Sequence, residues 1–265
     1  MTDPVELDIQ DHIAVVSLNR PDKFNALNMD VFRALIESGD EIIANRSVRA
    51  VVLKGNGENF CAGIDVSIFS SGELGDPTPH LLPQQGSIAN FFQRSAYVWR
   101  EVPVPVIGAL HGIVYGGGLQ IALGADLRYC TPASQFSIME IKWGLIPDMS
   151  ITTTLARQMP ADKLRELAFT GRVFDGKEAA ELGVVTEVVE DAAAKAAEIA
   201  ANIAGRSPDA IRAMKQLFGQ AEDLDAAAAL RLEAELQASV MGQPNQIEAV
   251  MANMERRAPK FSDPE

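Results

Sequence analysis

Two carboxylic acids, Glu140 and Asp148, are the side chains of this sequence best suited to moving protons. They stand eight residues apart in the stretch SIMEIKWGLIPD, and Glu140 has mostly apolar neighbours. Burial among such neighbours raises the pKa of a carboxyl group, as general acid–base catalysis near neutral pH requires. Two structural explanations remain open: Ser137 and Glu140 have the spacing of a capping box, and Asp148 could be the N-cap of the segment that follows.

Two glycine-rich stretches could stabilise the negative charge that proton removal creates. In HGIVYGGGLQIALGADLRYC, residues 111–130, a strand is predicted to run into Gly116–Gly118 and to continue as a helix, whose first N–H groups lack acceptors. In KGNGENFCAGIDV, residues 54–66, a buried strand ends in a glycine-rich corner followed by Ile64. Two N–H groups from different loops, aimed at one carbonyl oxygen, form an oxyanion hole for an enolate or tetrahedral intermediate. Close helix–strand packing and an ordinary loop are the alternative explanations.

The rest of the sequence disfavours several other kinds of site. No G-x-G-x-x-G frame fits Gly116–Gly118 and no G-x-S-x-G elbow is present, so neither a dinucleotide loop nor a serine hydrolase is predicted. The two cysteines, Cys61 and Cys130, form neither a disulfide framework nor a C-x-x-C pair. Since the three histidines are scattered as well, no metal site is predicted. Trp99, Trp143 and the phenylalanines are expected in the core.

Charge and hydropathy limit which binding partners and which cellular location are expected. The net charge of −13 predicts neither nucleic acid nor an anionic membrane as partner, because neither surface attracts an acidic protein. The uncharged segment 102–125 is long enough to span a membrane, but its prolines, glycines, His111 and Gln120 favour a strand, a turn and a buried helix. The amino-terminal residues lack the pattern of a signal peptide, so a reducing, cytoplasmic compartment is expected.

Periodicity and turn signals predict an α/β fold. An antiparallel hairpin at the amino end, a helix over 29–45 and a buried strand ending at Gly55 follow in the order typical of such folds. A mobile Gly- and Pro-rich connection is expected at 70–86, followed by a helix over 87–101.

The carboxyl-terminal part is predicted to be helical. One helix begins with a capping box from Asp175 to Glu178, and another has Ser207 as N-cap and stops at Gly219. Two more helices follow. The chain is therefore divided into an α/β core, residues 1–200, and a helical region, residues 201–265.

Long motifs in this order and spacing resemble those of the crotonase family, also called the enoyl-CoA hydratase/isomerase family. The resemblance covers nearly the whole chain and rests on LNRPDKFNAL, NFCAGIDV, HGIVYGGGLQIALGADLRYC and FTGRVFDGKEAAELGVVTEVV. It implies a crotonase-type spiral of repeated β-β-α turns, with carboxyl-terminal helices that build a homotrimer or a hexamer of paired trimers. It also implies an acyl-CoA thioester substrate, as in fatty acid metabolism, and no separate cofactor.

The resemblance assigns roles to individual residues. It implies that the N–H groups of Ile64 and Gly117 form the oxyanion hole. It implies that the CoA site is formed by Lys23, Phe24, Asp65, Val66, Ser67 and Arg256. Asn253 departs from the family pattern, since hydratases carry an aromatic residue three positions before the basic one.

Gln120 is the main departure from the family's hydratases, which carry glutamates at the positions matching Gln120 and Glu140. An amide can orient a water molecule but cannot take its proton. A shift of a double bond needs only one carboxylate to move a proton between carbons, as in the family's 3,2-enoyl-CoA isomerases. Acids matching Glu140 and Asp148 resemble the pair of dienoyl-CoA isomerases, although those enzymes keep an aspartate at position 120.

Three hypotheses follow from these residues. In the first, the protein isomerises an enoyl- or dienoyl-CoA, with Glu140 removing a proton and Asp148 donating or positioning one. In the second, it is a slow or narrow enoyl-CoA hydratase, in which Glu140 is the sole acid–base group and Gln120 orients the water. In the third, it is a catalytically weak, oligomeric scaffold that binds CoA esters.

Overall fold

The computed structural model describes residues 3–72, 75–83 and 86–264. The strands in these ranges are β1 (Val5–Gln10), β2 (Ile13–Leu18), β3 (Ala50–Gly55), β4 (Val106–Leu110), β5 (Ile113–Tyr115), β6 (Leu127–Cys130), β7 (Gln135–Ser137), β8 (Phe174–Asp175) and β9 (Glu187–Val188). The helices are α1 (Met29–Ala44), α2 (Ile68–Ser71), α3 (Phe91–Glu101), α4 (Gly117–Leu123), α5 (Ala161–Thr170), α6 (Gly176–Glu181), α7 (Ala192–Ala204), α8 (Pro208–Ala221), α9 (Ala226–Val240) and α10 (Pro244–Glu255).

Two sheets share the strands. The larger has the order β1-β2-β3-β4-β6-β9, in which β1 and β2 form the predicted antiparallel hairpin and the remaining pairs are parallel. The smaller has the order β5-β7-β8. The chain passes from the larger sheet to the smaller after β4 and again after β6, and Cys61 makes the same passage after β3 by bridging to Val114. These repeated turns confirm the predicted spiral.

The central strands β3 and β4 are apolar, apart from Lys54 near the end of β3, because both faces of the sheet are covered. On one face α1, α3 and α4 contribute to the main core, in which Trp99 is fully buried as predicted. On the other face α7 packs through Ala192, Ala196 and Ala200, whose small side chains at four-residue spacing allow close approach to the strands. The predicted division at residue 200 thus falls within a helix that packs on the sheet, and the two regions stay a prediction.

Helix boundaries agree with the sequence signals except at two places. Helix α3 begins at Phe91, because Asn90 and Gln93 form a capping box there. Helix α8 has the predicted Ser207 cap but continues past Gly219, so the prediction of a stop at that glycine is wrong. A mid-helix glycine costs only about 1 kcal/mol relative to alanine, which the neighbouring helix-forming residues outweigh.

The structure also bears on two other predicted segments, the uncharged stretch 102–125 and the connection 70–86. The segment 102–125 forms a strand, a turn and a buried helix, as predicted, and no helix in the described ranges is long and apolar enough to cross a membrane. The connection predicted at 70–86 lies partly outside the described residues. Its described part contains a 3-10 turn, Thr78–Leu81.

Candidate active site

The three consecutive glycines place the start of α4 against the rest of the site. Gly116 has a φ of +52°, a conformation that side chains rarely adopt. A Cβ atom on Gly117 would lie 2.9 Å from Met149 Sδ, and one on Gly118 would lie 2.6 Å from Cys61 Cβ. The glycines therefore serve both readings of the sequence: they permit close packing, and they leave the Gly117 N–H at a helix start.

The second glycine-rich loop is fixed by backbone hydrogen bonds on both sides of Ile64. The Leu27 N–H donates to the Gly63 carbonyl at 2.8 Å, and the Asp65 N–H donates to the Leu27 carbonyl at 2.9 Å. Gly63 itself has a φ of +88°, and a Cβ there would lie 2.9 Å from the Tyr115 carbonyl oxygen. This loop therefore packs directly against the approach to α4.

The two loops meet at one cavity of about 360 Å³. The N–H groups of Ile64 and Gly117 belong to residues that line it, and neither donates to an acceptor in the described ranges. Its other lining residues include Leu27, Phe69, Leu81, Met139, Glu140, Trp143, Leu145, Ile146, Asp148 and Met149. An apolar cavity with a few converging polar groups is typical of a small-molecule site.

Neither carboxyl group has the capping role that the sequence left open. The Ser137 hydroxyl donates to the Gly171 carbonyl at 2.9 Å, and the 3-10 turn beginning at Glu140 has no side-chain cap. The segment after Asp148 forms two 3-10 turns, Ile151–Thr153 and Leu155–Arg157, also without side-chain caps. Both capping interpretations are wrong, and Glu140 and Asp148 instead line the same cavity.

Gln120 is buried behind Glu140. Its Nε2 atom donates to Glu140 Oε1 at 2.6 Å, and its Oε1 atom accepts from the Met149 N–H at 2.8 Å. A backbone N–H can only donate, so the amide oxygen must face Met149 and the NH2 group must face the carboxylate. Gln120 is 1% exposed and is not among the residues that line the cavity. Glu140 Oε2 is buried with no hydrogen-bond partner in the described ranges.

The surroundings favour the protonated forms of both acids. Burial raises the pKa of Glu140, the negative charge of Asp148 raises it further, and the hydrogen bond from Gln120 opposes these effects. Burial also raises the pKa of Asp148. Asp148 is exposed by its accessible area, but it lines a concave and mostly apolar cavity, in which a carboxyl group is partly desolvated.

A family model described as enoyl-CoA hydratase/isomerase matches residues 8–264. The chain belongs to this family, the crotonases. A mitochondrial Δ(3,5)-Δ(2,4)-dienoyl-CoA isomerase of mouse is 32% identical over 95% of this chain and 79% of its own length. An enoyl-CoA hydratase of Mycobacterium tuberculosis is 30% identical over 95% and 94%. A crystal structure of an enoyl-CoA hydratase from that organism superposes with a TM-score of 0.87 at 27% identity, covering 99% and 100% of the two chains.

This crotonase is therefore an enzyme that acts on CoA thioesters. None of the six residues implied for its CoA site lines the apolar cavity. Five of them lie in the two joined loops beside it: Lys23, Phe24, Asp65, Val66 and Ser67.

Hydrogen bonds hold those two loops together. The Ala62 N–H donates to the Phe24 carbonyl at 2.9 Å, and Arg20 contacts Asp65 at 3.1 Å. Hydrogen bonds from Ser67, with a contribution from Arg20, lower the pKa of Asp65. Arg256 is exposed at the end of α10 and does not reach the cavity of this crotonase chain, so its role stays a prediction.

Sequence reasoning missed the apolar part of the crotonase site. Trp143 is 46% exposed and lines the cavity, so its predicted place in the core is wrong. Leu145 and Ile146 are exposed beside it. A signal was present, because the segment that joins the two candidate acids is apolar except for Lys142 and contains Gly144 and Pro147 rather than a helical or strand pattern.

Proposed function

We propose that this enzyme shifts a double bond in an enoyl-CoA or dienoyl-CoA thioester. The observation that carries the proposal is the arrangement of one cavity: two unpaired N–H groups, those of Ile64 and Gly117, face the same space as two carboxyl groups, Glu140 and Asp148. The 32% identity to a dienoyl-CoA isomerase supports it.

Proton removal is the first step of the proposed reaction. The thioester oxygen accepts hydrogen bonds from Ile64 and Gly117, and Glu140 takes a proton from the adjacent carbon. The electron pair of that C–H bond moves towards the thioester and forms an enolate, which the two N–H groups stabilise. Glu140 suits this position because its Oε1 atom lies 3.5 Å from where a Cβ on Gly116 would stand, at the oxyanion hole itself.

Proton delivery completes the shift. Asp148, in its protonated form, gives its proton to the far carbon of the conjugated system, and the thioester carbonyl is restored. Asp148 also lines a second cavity further from the oxyanion hole, which supports a role along the acyl chain rather than at the thioester. One proton leaves and one arrives, so the reaction needs no water and no cofactor beyond the CoA moiety.

The assay that tests this proposal offers three substrates to the purified enzyme: trans-2-enoyl-CoA, trans-3-enoyl-CoA and 3,5-dienoyl-CoA. We expect formation of the conjugated 2-enoyl or 2,4-dienoyl product, followed by its ultraviolet absorbance. Rapid water addition to the 2-enoyl ester, lost in Glu140→Ala, would identify a hydratase instead. Binding of all three esters without turnover would favour the scaffold.

Gln120→Glu is expected to add water-adding activity. The new carboxylate would accept from the Met149 N–H and bring its second oxygen to Glu140 Oε1, where the amide now lies at 2.6 Å. Two carboxylates at this separation cannot both ionise easily, so they would share a proton. The buried carboxyl group would then act on the cavity through Glu140, as the second acid–base group that hydration needs. The measurement is 3-hydroxyacyl-CoA formed from trans-2-enoyl-CoA. Gln120→Met, which adds no carboxylate, is the control, and equal rates in both variants would contradict the expectation.

The pH dependence of kcat/KM is expected to be bell-shaped, because one carboxyl group must be ionised and the other protonated. Burial raises the pKa of both Glu140 and Asp148, so activity should rise at a pH above the ordinary range of carboxylic acids. The two limbs belong to the pair rather than to either residue. The fall in activity at high pH reflects ionisation of the second carboxyl group of the pair. Asp148→Asn removes that ionisation, so the alkaline fall should disappear from the pH profile of the residual activity on trans-3-enoyl-CoA. An unchanged alkaline limb would contradict this assignment.

We also propose that the enzyme works as a homotrimer or a hexamer in a reducing compartment such as the cytoplasm. Apolar side chains exposed on the carboxyl-terminal helices and the turn after α9 support an oligomer, among them Leu230, Met241, Ile247, Met251 and Met254. Both cysteines are free thiols, which supports a reducing location.

A further inference from the structure

A strongly basic cavity of about 630 Å³ lies between α3, α8 and the 3-10 turns after Asp148. Its cationic lining residues are Arg46, Arg100, Arg157, Arg212 and Lys215. The protein as a whole has a net charge of −13, so this concentration of positive charge is confined to one part of its surface. A local basic site of this kind attracts an anion.

Two of these five cations lack a carboxylate partner. Arg100 and Arg157 contact Glu222, and Lys215 contacts Asp126. In contrast, within the described ranges no carboxylate lies within 4.0 Å of Arg46 or Arg212.

The acidic residues that line the same cavity are paired with other arginines. Glu101 contacts Arg94 at 3.4 Å, and Asp223 contacts Arg157 at 2.7 Å. Each of these arginines is shared with a second carboxylate, Asp40 or Glu222, so the acids are only partly balanced. Arg46 and Arg212 remain the two cations of the cavity with no carboxylate within 4.0 Å in the described ranges.

Arg212 is held in place by backbone contacts and still has a donor to spare. One of its terminal nitrogens donates to the Arg46 carbonyl at 3.3 Å and to the Val48 carbonyl at 3.1 Å. Its Nε atom is buried without an acceptor in the part of the chain that the structure describes. Burial, and then the charge of Arg46, lower the pKa of Arg212, and the charges of Asp209 and Asp263 oppose these effects. An anion beside the two guanidinium groups would offset the repulsion between them.

A third cavity, of about 380 Å³, lies between the catalytic cavity and the basic one. It shares Ile146 and Asp148 with the catalytic cavity, and Ile88, Tyr97 and Thr153 with the basic cavity. The shared residues place the three cavities side by side, as a path from the catalytic cavity towards the basic one.

The length of this path can be read along one face of α3. Gln93 lines the connecting cavity, Tyr97 lines both, and Arg100 lines the basic cavity. Seven residues of helix separate Gln93 from Arg100, which is about 10 Å at the rise of an α-helix. An acyl chain that reached the basic cavity would have to cover this length in addition to the distance from the thioester to the connecting cavity, so a short chain would not suffice.

The connecting cavity is more polar than the catalytic one. Gln93, Tyr97, Thr152 and Thr153 line it, and so does Ser150, whose buried hydroxyl has no partner in the described ranges. Ser150 also has a φ of +70°, a strained conformation that in folded proteins is found most often at functional sites. A purely aliphatic chain makes no use of such groups.

We propose that the acyl group of the substrate ends in an anionic group, a carboxylate, which Arg46 and Arg212 bind at the far end of this path. This inference rests on the proposed function in one respect: it takes the thioester to lie at the Ile64 and Gly117 N–H groups. It commits the enzyme to medium- or long-chain ω-carboxyacyl-CoA esters.

Calorimetric binding of saturated esters tests the proposal without requiring turnover. The probes are octanoyl-CoA and dodecanoyl-CoA, each compared with the CoA monothioester of the dicarboxylic acid of equal length. We expect at least one ω-carboxyl ester to bind about tenfold more tightly than its methyl-terminated counterpart, as for a hydrogen bond to a charged group. Arg46→Gln, at an exposed residue, should remove this preference and leave the binding of the methyl-terminated ester unchanged.

Arg165→Gln is the matched control, because Arg165 is exposed on α5 and does not line any of the three cavities. It should leave the preference intact. Equal affinity for the two termini at both lengths overturns the proposal, and so does an Arg46→Gln variant that keeps the preference or weakens both esters alike. Failure to isomerise any ester, with the preference present, would reject the proposed reaction but not the anion site.

Discussion

Replacement of Glu140 by glutamine is expected to lower kcat for double-bond isomerisation by about 10³-fold, the usual contribution of a well-placed acid–base group. The amide that replaces the carboxylate keeps the shape of the side chain and an oxygen that can accept from Gln120, now at 2.6 Å. It cannot take a proton from carbon. Binding of the thioester should change little, because the N–H groups of Ile64 and Gly117 are untouched.

Stability separates this chemical effect from a structural one. Glu140 Oε2 is buried and has no hydrogen-bond partner among the described residues, so loss of the negative charge should leave the free energy of unfolding unchanged or increase it. The measurements are kcat and KM on trans-3-enoyl-CoA together with urea unfolding. Glu181→Gln, at an exposed position of α6, is the control and should keep full activity. If Glu140→Gln retains wild-type kcat, Glu140 is not the base.

Gly63→Ala is expected to lower kcat by about 10²-fold to 10³-fold, as removal of one oxyanion donor does in other enzymes. The added Cβ would lie 2.9 Å from the Tyr115 carbonyl oxygen, and the residue has a φ of +88°. The loop must shift to accommodate it, and the Ile64 N–H would shift with it. Because the donor acts mainly on the enolate, the loss should be in kcat more than in the affinity for a saturated acyl-CoA.

Gly242→Ala is a matched control for backbone strain. Gly242 has a φ of +74°, but a Cβ there meets nothing within 4 Å, and the residue lies in the turn between α9 and α10. Both variants should lose about 1 kcal/mol or more of stability from the left-handed conformation. Only Gly63→Ala should lose activity. Equal losses of kcat in the two variants would mean that the position of the Ile64 N–H does not matter.

Much of the fold could be predicted because its local signals agree with its tertiary contacts. The hairpin, α1 and β3 carry clear periodicity, and the caps of α6 and α8 use Asp175 and Ser207 as their sequences indicate. The prediction was wrong at Gly219, where the cost of one glycine is smaller than the gain from continuing the helix. A local sequence pattern indicates the free-energy cost of a glycine in a helix, but not whether the rest of the helix outweighs that cost.

The site could be predicted in its chemistry but not in its arrangement. Glu140 and Asp148 were recognisable as acids in apolar sequence, yet the same letters fitted helix caps. The choice depended on Gly171, 34 residues after Ser137, whose carbonyl accepts the Ser137 hydroxyl. Gln120 shows the same limit, because its partner Met149 is 29 residues away and nothing local indicates the contact. The basic cavity combines residues from α3 and α8, which no single stretch of sequence displays.

The backbone hydrogen bonds on both sides of Ile64 limit where the chain can be shortened or circularly permuted. Leu27, which makes both of them, follows directly after the amino-terminal hairpin and its 3-10 turn. A fragment that began at residue 29 would keep every acidic residue of the site and the whole of α4. It would nevertheless lose the backbone that sets the direction of one oxyanion donor. Engineered breaks in the chain should therefore be placed elsewhere, for example at the α9–α10 turn, where a Cβ on Gly242 would meet no atom within 4 Å.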